Sequence, residues 1–211
     1  MDTTGPPQGK PRRRGANRLI KPAIFLAALL PFAFLAWDAA KGDLGANPIE
    51  EVEHRTGRWA LYFLLITLAV SPIRRLGGWN AVIRLRRMLG LFAFFYATLH
   101  VSAFIGLDMF FDWGDIVADV IERPWITIGM LSWLLLVPLA ITSTKGWIRR
   151  LGGRRWNLLH RLAYVAASGG TIHYYLAVKQ DVSRPVLFGA ILVLLLGVRI
   201  AWRFADAMKA R

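Results

Sequence analysis

The sequence predicts an all-α, polytopic membrane protein, a bundle of six transmembrane helices. Three observations carry that prediction. Of the 211 residues, 55% are apolar, and they gather into six segments at about 20–37, 58–73, 88–107, 124–142, 157–178 and 185–204. The 27 Lys and Arg outnumber the 13 Asp and Glu, giving a net charge of +14, and the basic residues cluster between the apolar runs. The connecting segments also alternate in sign. A soluble chain of this charge would suggest nucleic acid. Basic clusters between long apolar runs are instead the pattern of cytoplasmic loops, so no nucleic-acid partner is expected.

Taken in order, residues 1–20 are rich in Pro, Gly and basic residues, with Arg12, Arg13 and Arg14 in a row. They read as a disordered cytoplasmic tail. The run Pro22–Trp37 ends without a small-x-small cleavage pattern, so an uncleaved first span is preferred to a secretory or twin-arginine signal. The second span reads as short, ending at Ser71-Pro72. Pro31 and Pro138 fall inside the first and fourth spans, where kinks are tolerable if neighbouring helices satisfy the freed carbonyls. Residues 21–205 form one membrane domain, and 206–211 a short cytoplasmic tail.

The loops fix the orientation. Segment 38–57 carries Asp38, Asp43, Glu50, Glu51 and Glu53, and segment 108–123 carries Asp108, Asp112, Asp115, Asp119 and Glu122. Segments 74–87 and 143–156 carry Arg or Lys at ten positions and no acid. The positive-inside rule puts the acidic loops outside and both termini in the cytoplasm, as for a multi-pass protein of the bacterial inner membrane. The acidic loops are either solvated surface or a docking face for a soluble partner. The arginine clusters suit anionic lipid headgroups, an anionic cofactor or an acidic donor protein.

The absence of cysteine excludes thiol catalysis, disulfides, iron–sulfur clusters and thiolate metal sites. No glycine-rich phosphate loop is present, so a dedicated nucleotide domain is not expected. Attention falls on the four histidines. His160 and His173 lie in the fifth span, Asn157–Val178, which as a helix would rise ~33 Å and separate them by roughly 20 Å. Ionisable groups at such depth suggest function. His100 lies in the third span, which runs outward like the fifth, so His100 and His173 should match in depth. Two such imidazoles can grip haem iron from both sides, although each singly could be a packed, hydrogen-bonded residue.

Small residues accompany them. Gly90, Ala93 and Ala97 share a face with His100, and Ala163, Ala167 and Gly170 form a strip between the two histidines of the fifth span. Such strips suit either a flat macrocycle or ordinary helix packing. His160 should sit near the cytoplasmic face, about 140° around the helix from His173. His54 is expected to be a loop residue and no ligand.

The runs RRMLGLFAFFYATLHVSAF (86–104) and NLLHRLAYVAASGGTIHYYLAVK (157–179), with TGRWAL (56–61), resemble the MsrQ (YedZ) family. That family is similar to the ferric-reductase-like transmembrane domains, which hold two b-type haems between the third and fifth spans. The resemblance implies at least one haem b here, with His100 and His173 as axial ligands. The position thirteen residues before His100, where the two-haem pattern needs a second histidine, is Arg87. His160 is thus an open second site, for a haem of unusual ligation, for FMN, or for no cofactor. Arg86 and Arg87 would pair with haem propionates or a flavin phosphate. The implied role is a conduit from a cytoplasmic flavin reductase or quinone to a periplasmic partner, the molybdenum enzyme MsrP. MsrP would reduce protein methionine sulfoxide, in a heterodimer-like complex, and this chain would do no substrate chemistry itself. The alternatives are a stand-alone ferric or oxygen reductase-type cytochrome b and a cofactor-free transporter or scaffold.

Overall fold

A computed structural model describes residues 16–79 and 82–209. Of the tails expected at 1–20 and 206–211, residues 16–20 and 206–209 are helical, and residues 1–15 and 210–211 lie outside the described residues. The described chain is helical throughout: α1 (Ala16–Lys41), α2 (Pro48–Gly77), a 3₁₀ turn (Val82–Arg84), α3 (Arg86–Ala103), α4 (Trp113–Glu122), α5 (Pro124–Ile141), α6 (Lys145–Leu159), α7 (Leu162–Ala177) and α8 (Ser183–Lys209). A π-helical turn, Phe104–Asp108, extends α3. Five helical stretches are long and apolar enough to cross a membrane, namely α1, α2, α3 with its flanking turns, α5 and α8. Helix α7, with 16 residues, rises only ~24 Å.

The second span is longer than the sequence suggests. Asn47 caps the N-terminus of α2 through its side chain, Pro48 follows, and Glu50 and Glu51 occupy the first turn, a favourable order at the positive end of a helix. Much of the expected acidic loop 38–57 is therefore helix. At the other end α2 runs through Pro72 and stops at Gly78, whose φ of 66° suits a residue without Cβ.

Pro72 does not break α2 because its cost is met from another helix. Proline at position 72 has no N–H for the carbonyl of Leu68. Arg199 of α8 donates one N–H to that carbonyl and another to Leu195 O at 2.7 Å, with its guanidinium 5.5 Å from the Tyr164 ring centroid. Beside Pro31, which has no N–H for the carbonyl of Ala27, the α1 ladder is also entered by a side chain. The Tyr96 hydroxyl inserts into the α1 ladder, accepting from Phe32 N (3.1 Å) and donating to Ala28 O (2.8 Å). Tyr96 is 1% exposed and stacks on Phe63, so a core side chain of the neighbouring helix bridges Phe32 N–H and Ala28 O, the ladder pair next to the one that Pro31 breaks.

The fifth span departs from the expected continuous helix. His160 (φ −70°, ψ −2°) caps α6, and α7 begins at Leu162. Bonds of the i→i+3 kind, Ala163 N to His160 O and Tyr164 N to Arg161 O, carry the chain through this passage. The other expected loops are also largely helical, with α4 in 108–123 and α6 in 143–156.

Two helix pairs organise the interior, α2 against α3 and α5 against α7. The acidic segments meet at one end, where Glu53, His54, Asp108 and Arg123 rim a common cavity. At the opposite end Arg75 of α2 makes a two-pronged ion pair with Asp206 of α8 (2.6 and 2.9 Å). Arg86 and Arg87 lie within electrostatic reach of His160 there.

Candidate functional site

The acidic end opens into a cavity of about 310 Å³ between the two helix pairs. Leu61, Leu64, Leu136 and Ala166 supply apolar wall, and His100 and His173 face the same space. Their ring centroids are 6.0 Å apart with the planes inclined at 66°. The depth match expected from charge and hydropathy thus becomes a direct juxtaposition of α3 and α7.

Each imidazole is held by a main-chain carbonyl of the helix it packs against. His100 Nδ1 donates to Glu53 O of α2 at 3.0 Å, and His173 Nδ1 donates to Trp125 O of α5 at 2.6 Å. A carbonyl can only accept, so both Nδ1 atoms carry hydrogen and both Nε2 atoms keep a free lone pair. That is the tautomer of a metal-ligating histidine whose other nitrogen is tied to a carbonyl.

The spacing fits a bis-imidazole site. Two metal–nitrogen bonds of about 2.0–2.1 Å on opposite sides of one ion, with about 1.2 Å from each nitrogen to its ring centre, give ~6.4 Å between centroids. The observed 6.0 Å lies within half an ångström of that value. The donor set, two neutral imidazoles in a largely apolar cavity, suits a haem iron.

Two glycines make room for the rings. A Cβ at Gly57 would stand 3.2 Å from His100 Nδ1 and Cε1, and one at Gly129 would stand 2.7 Å from His173 Nδ1. Sequence reasoning missed both, although each lies four residues after the carbonyl that its histidine uses, in EHRTG (53–57) and WITIG (125–129). The small-residue strips behave less uniformly. Of the expected strips only Ala97 and Gly170 line the cavity, whereas a Cβ at Gly90 would meet Thr67 of α2, which marks that position as helix packing.

His160 is built differently. Its ring stacks on Trp156 (centroids 3.8 Å apart, 26° between planes), and its Nε2 lies 3.1 Å from Thr142 Oγ1. The Thr142 hydroxyl donates to Pro138 O at 2.6 Å, so it accepts from His160 Nε2–H. Trp156 in turn donates to Thr142 O at 2.9 Å. This imidazole is engaged at Nε2, the nitrogen that His100 and His173 keep free. His54 sits at the cavity rim near the N-terminal end of α2, half-exposed, with Glu50 Oε1 3.9 Å from its Nε2, so it is a helical residue and not a loop one. Among the described residues no cluster of three or more His, Asp or Glu could hold a bare metal ion.

Residues 56–171, which include His100 and His160 but not His173, match the family described as ferric reductase like transmembrane component. The chain is 53% identical over 193 residues to a protein of Herminiimonas arsenicoxydans, covering 90% of this chain and 88% of the relative. It is 55% identical over 184 residues to one of Rhodospirillum rubrum (87% and 88% covered) and 47% identical over 197 residues to one of Xanthomonas oryzae pv. oryzae (90% and 89%). All three relatives are named protein-methionine-sulfoxide reductase heme-binding subunit MsrQ. With these identities across nearly its whole length, the chain belongs to the MsrQ family, within the ferric-reductase-like transmembrane proteins.

Proposed function

We propose that this chain is a haem-binding electron-transfer subunit that crosses the bacterial inner membrane six times, with both termini in the cytoplasm. The sixth crossing is α7, short because the passage at His160 and α6 complete it on the cytoplasmic side. The observation that carries the reading is the His100–His173 pair, 6.0 Å apart, each with Nδ1 committed to a carbonyl and Nε2 free. Haem b held there supplies one-electron exchange. The chain's own residues orient the two ligands and surround the site with largely apolar side chains, factors that tune such a centre.

The acidic rim faces the periplasm, where MsrP would receive electrons and restore methionine from its sulfoxide. The cytoplasmic face offers Arg86 and Arg87, which form no ion pair among the described residues. They suit an FMN phosphate, a propionate or the approach of a flavin reductase or quinone. The His160 site holds no second haem in this reading, because Thr142 occupies its Nε2.

Purification from haem-replete cells, with haem and flavin counted per chain, tests the reading. A Soret band and the reduced α band of low-spin bis-imidazole b haem are expected. Reoxidation of the reduced protein should then require both MsrP and methionine sulfoxide. A colourless protein would end the haem assignment, and reoxidation independent of MsrP would favour a stand-alone reductase.

A further inference from the structure

The two half-sites share one construction. In each, a helix carbonyl at position i (Glu53, Trp125) accepts from an imidazole of the paired helix, and position i+4 (Gly57, Gly129) is glycine. In an α-helix the carbonyl of residue i points toward residue i+4, whose N–H it accepts, and the i+4 side chain stands beside it. That side chain screens the second lone pair from any donor outside the helix. Removing Cβ at i+4 opens the approach, and helix–helix distances can close to hydrogen-bonding range.

We infer that Gly57 and Gly129 are positioning residues for the two axial histidines, unmasking the Glu53 and Trp125 carbonyls so that each imidazole is locked as its Nδ1–H tautomer. This rests on the bis-histidine reading above. The geometry grades the two. A methyl group at position 129 would overlap His173 Nδ1, at 2.7 Å, and the ring cannot keep its bond to Trp125 O. A methyl at position 57 would be tight but not overlapping, at 3.2 Å from His100. Gly189 makes no such demand. There the nearest atom to an added Cβ is Thr171 Cγ2, an ordinary 3.8 Å away.

The full-length chain with Gly129→Ala, Gly57→Ala or Gly189→Ala is the test, with two readouts. The first is free of haem. With only four histidines in the chain, ¹⁵N-histidine NMR of protein made without haem resolves their tautomers. Gly129→Ala should remove the Nδ1–H signature of one imidazole, Gly57→Ala should shift that of another, and Gly189→Ala should change neither. The second readout is the haem spectrum and midpoint potential. Gly129→Ala should convert the low-spin signature to a high-spin one, Gly57→Ala should keep it with a displaced potential, and Gly189→Ala should match the parent. Serine at position 129 should fail as alanine does, because Cβ alone is at fault. Unchanged tautomers and an unchanged potential in Gly129→Ala would overturn the inference while leaving the haem assignment standing. A parent protein without haem would defeat the assignment, and the tautomer measurement would still decide what the glycines do. Should Gly129→Ala fail to fold, the comparison of Gly57→Ala with Gly189→Ala decides in the same way.

Discussion

The acidic half and the arginine-rich half of this bundle, outer and inner in the proposed orientation, use the same kinds of polar side chain to opposite ends. In the outer half, His100 and His173 take support from main-chain carbonyls through Nδ1 and keep Nε2 free over a cavity. In the inner half, polar groups are committed to the protein itself. His160 donates to Thr142, Thr142 donates to Pro138 O, and Arg199 occupies the carbonyl that Pro72 frees. The difference shows that an intramembrane histidine is informative through which nitrogen is free. Depth alone would rank His160 beside His173.

The largest expected effect is at the outer pair. His100→Ala or His173→Ala should each abolish the bis-imidazole spectrum, since one ligand cannot maintain a low-spin centre. Restoration of the spectrum by added imidazole would show that the cavity survives and only the ligand is gone. Persistence of the full spectrum in either variant would break the comparison at its root.

Next in size is Arg199→Leu, which removes the donor to Leu68 O without touching the outer cavity. An orphaned buried carbonyl costs about 1–3 kcal/mol. The variant should melt at lower temperature in detergent and retain its haem spectrum. Pro72→Ala restores a helical N–H to the Leu68 carbonyl, so in the double variant most of the loss should be recovered. If the two losses simply add, Arg199 has another role, such as binding an anion.

Much of the architecture was legible because it rests on properties summed over many residues. Apolar runs and the sign of the loops are insensitive to detail, and they sufficed to match His100 with His173, although five helical stretches and not six are long and apolar enough to span. What was illegible depends on which helices touch. EHRTG and WITIG carry no signal until α2 is known to lie on α3 and α5 on α7. Pro72 reads locally as a helix end, and only a side chain 131 residues from Leu68 overrides it. The sequence around His160 is rich in helix formers, yet the helix is interrupted where Thr142 and Trp156 take hold of the ring. The small strip on α3 was divided by the same contacts, Gly90 going to Thr67 and Ala97 to the cavity.

The smallest effects should come from the inner histidine, and they sharpen the contrast most. His160→Ala loses a stacked ring, worth about 0.5–1.5 kcal/mol beyond its burial, and one hydrogen bond to Thr142. Thr142→Val keeps the shape but leaves His160 Nε2–H without its acceptor, a cost of about 1 kcal/mol. Both variants should melt slightly earlier and keep the parent's haem content, Soret position and midpoint potential. Thr142→Val is the more searching of the two, because it frees the nitrogen that Thr142 holds. Should it gain a second haem signal when haem is supplied, the hydroxyl of Thr142 is what separates the inner site from a ligand site. Should His160→Ala lose all haem, His160 is itself a ligand, and the division between the two halves fails.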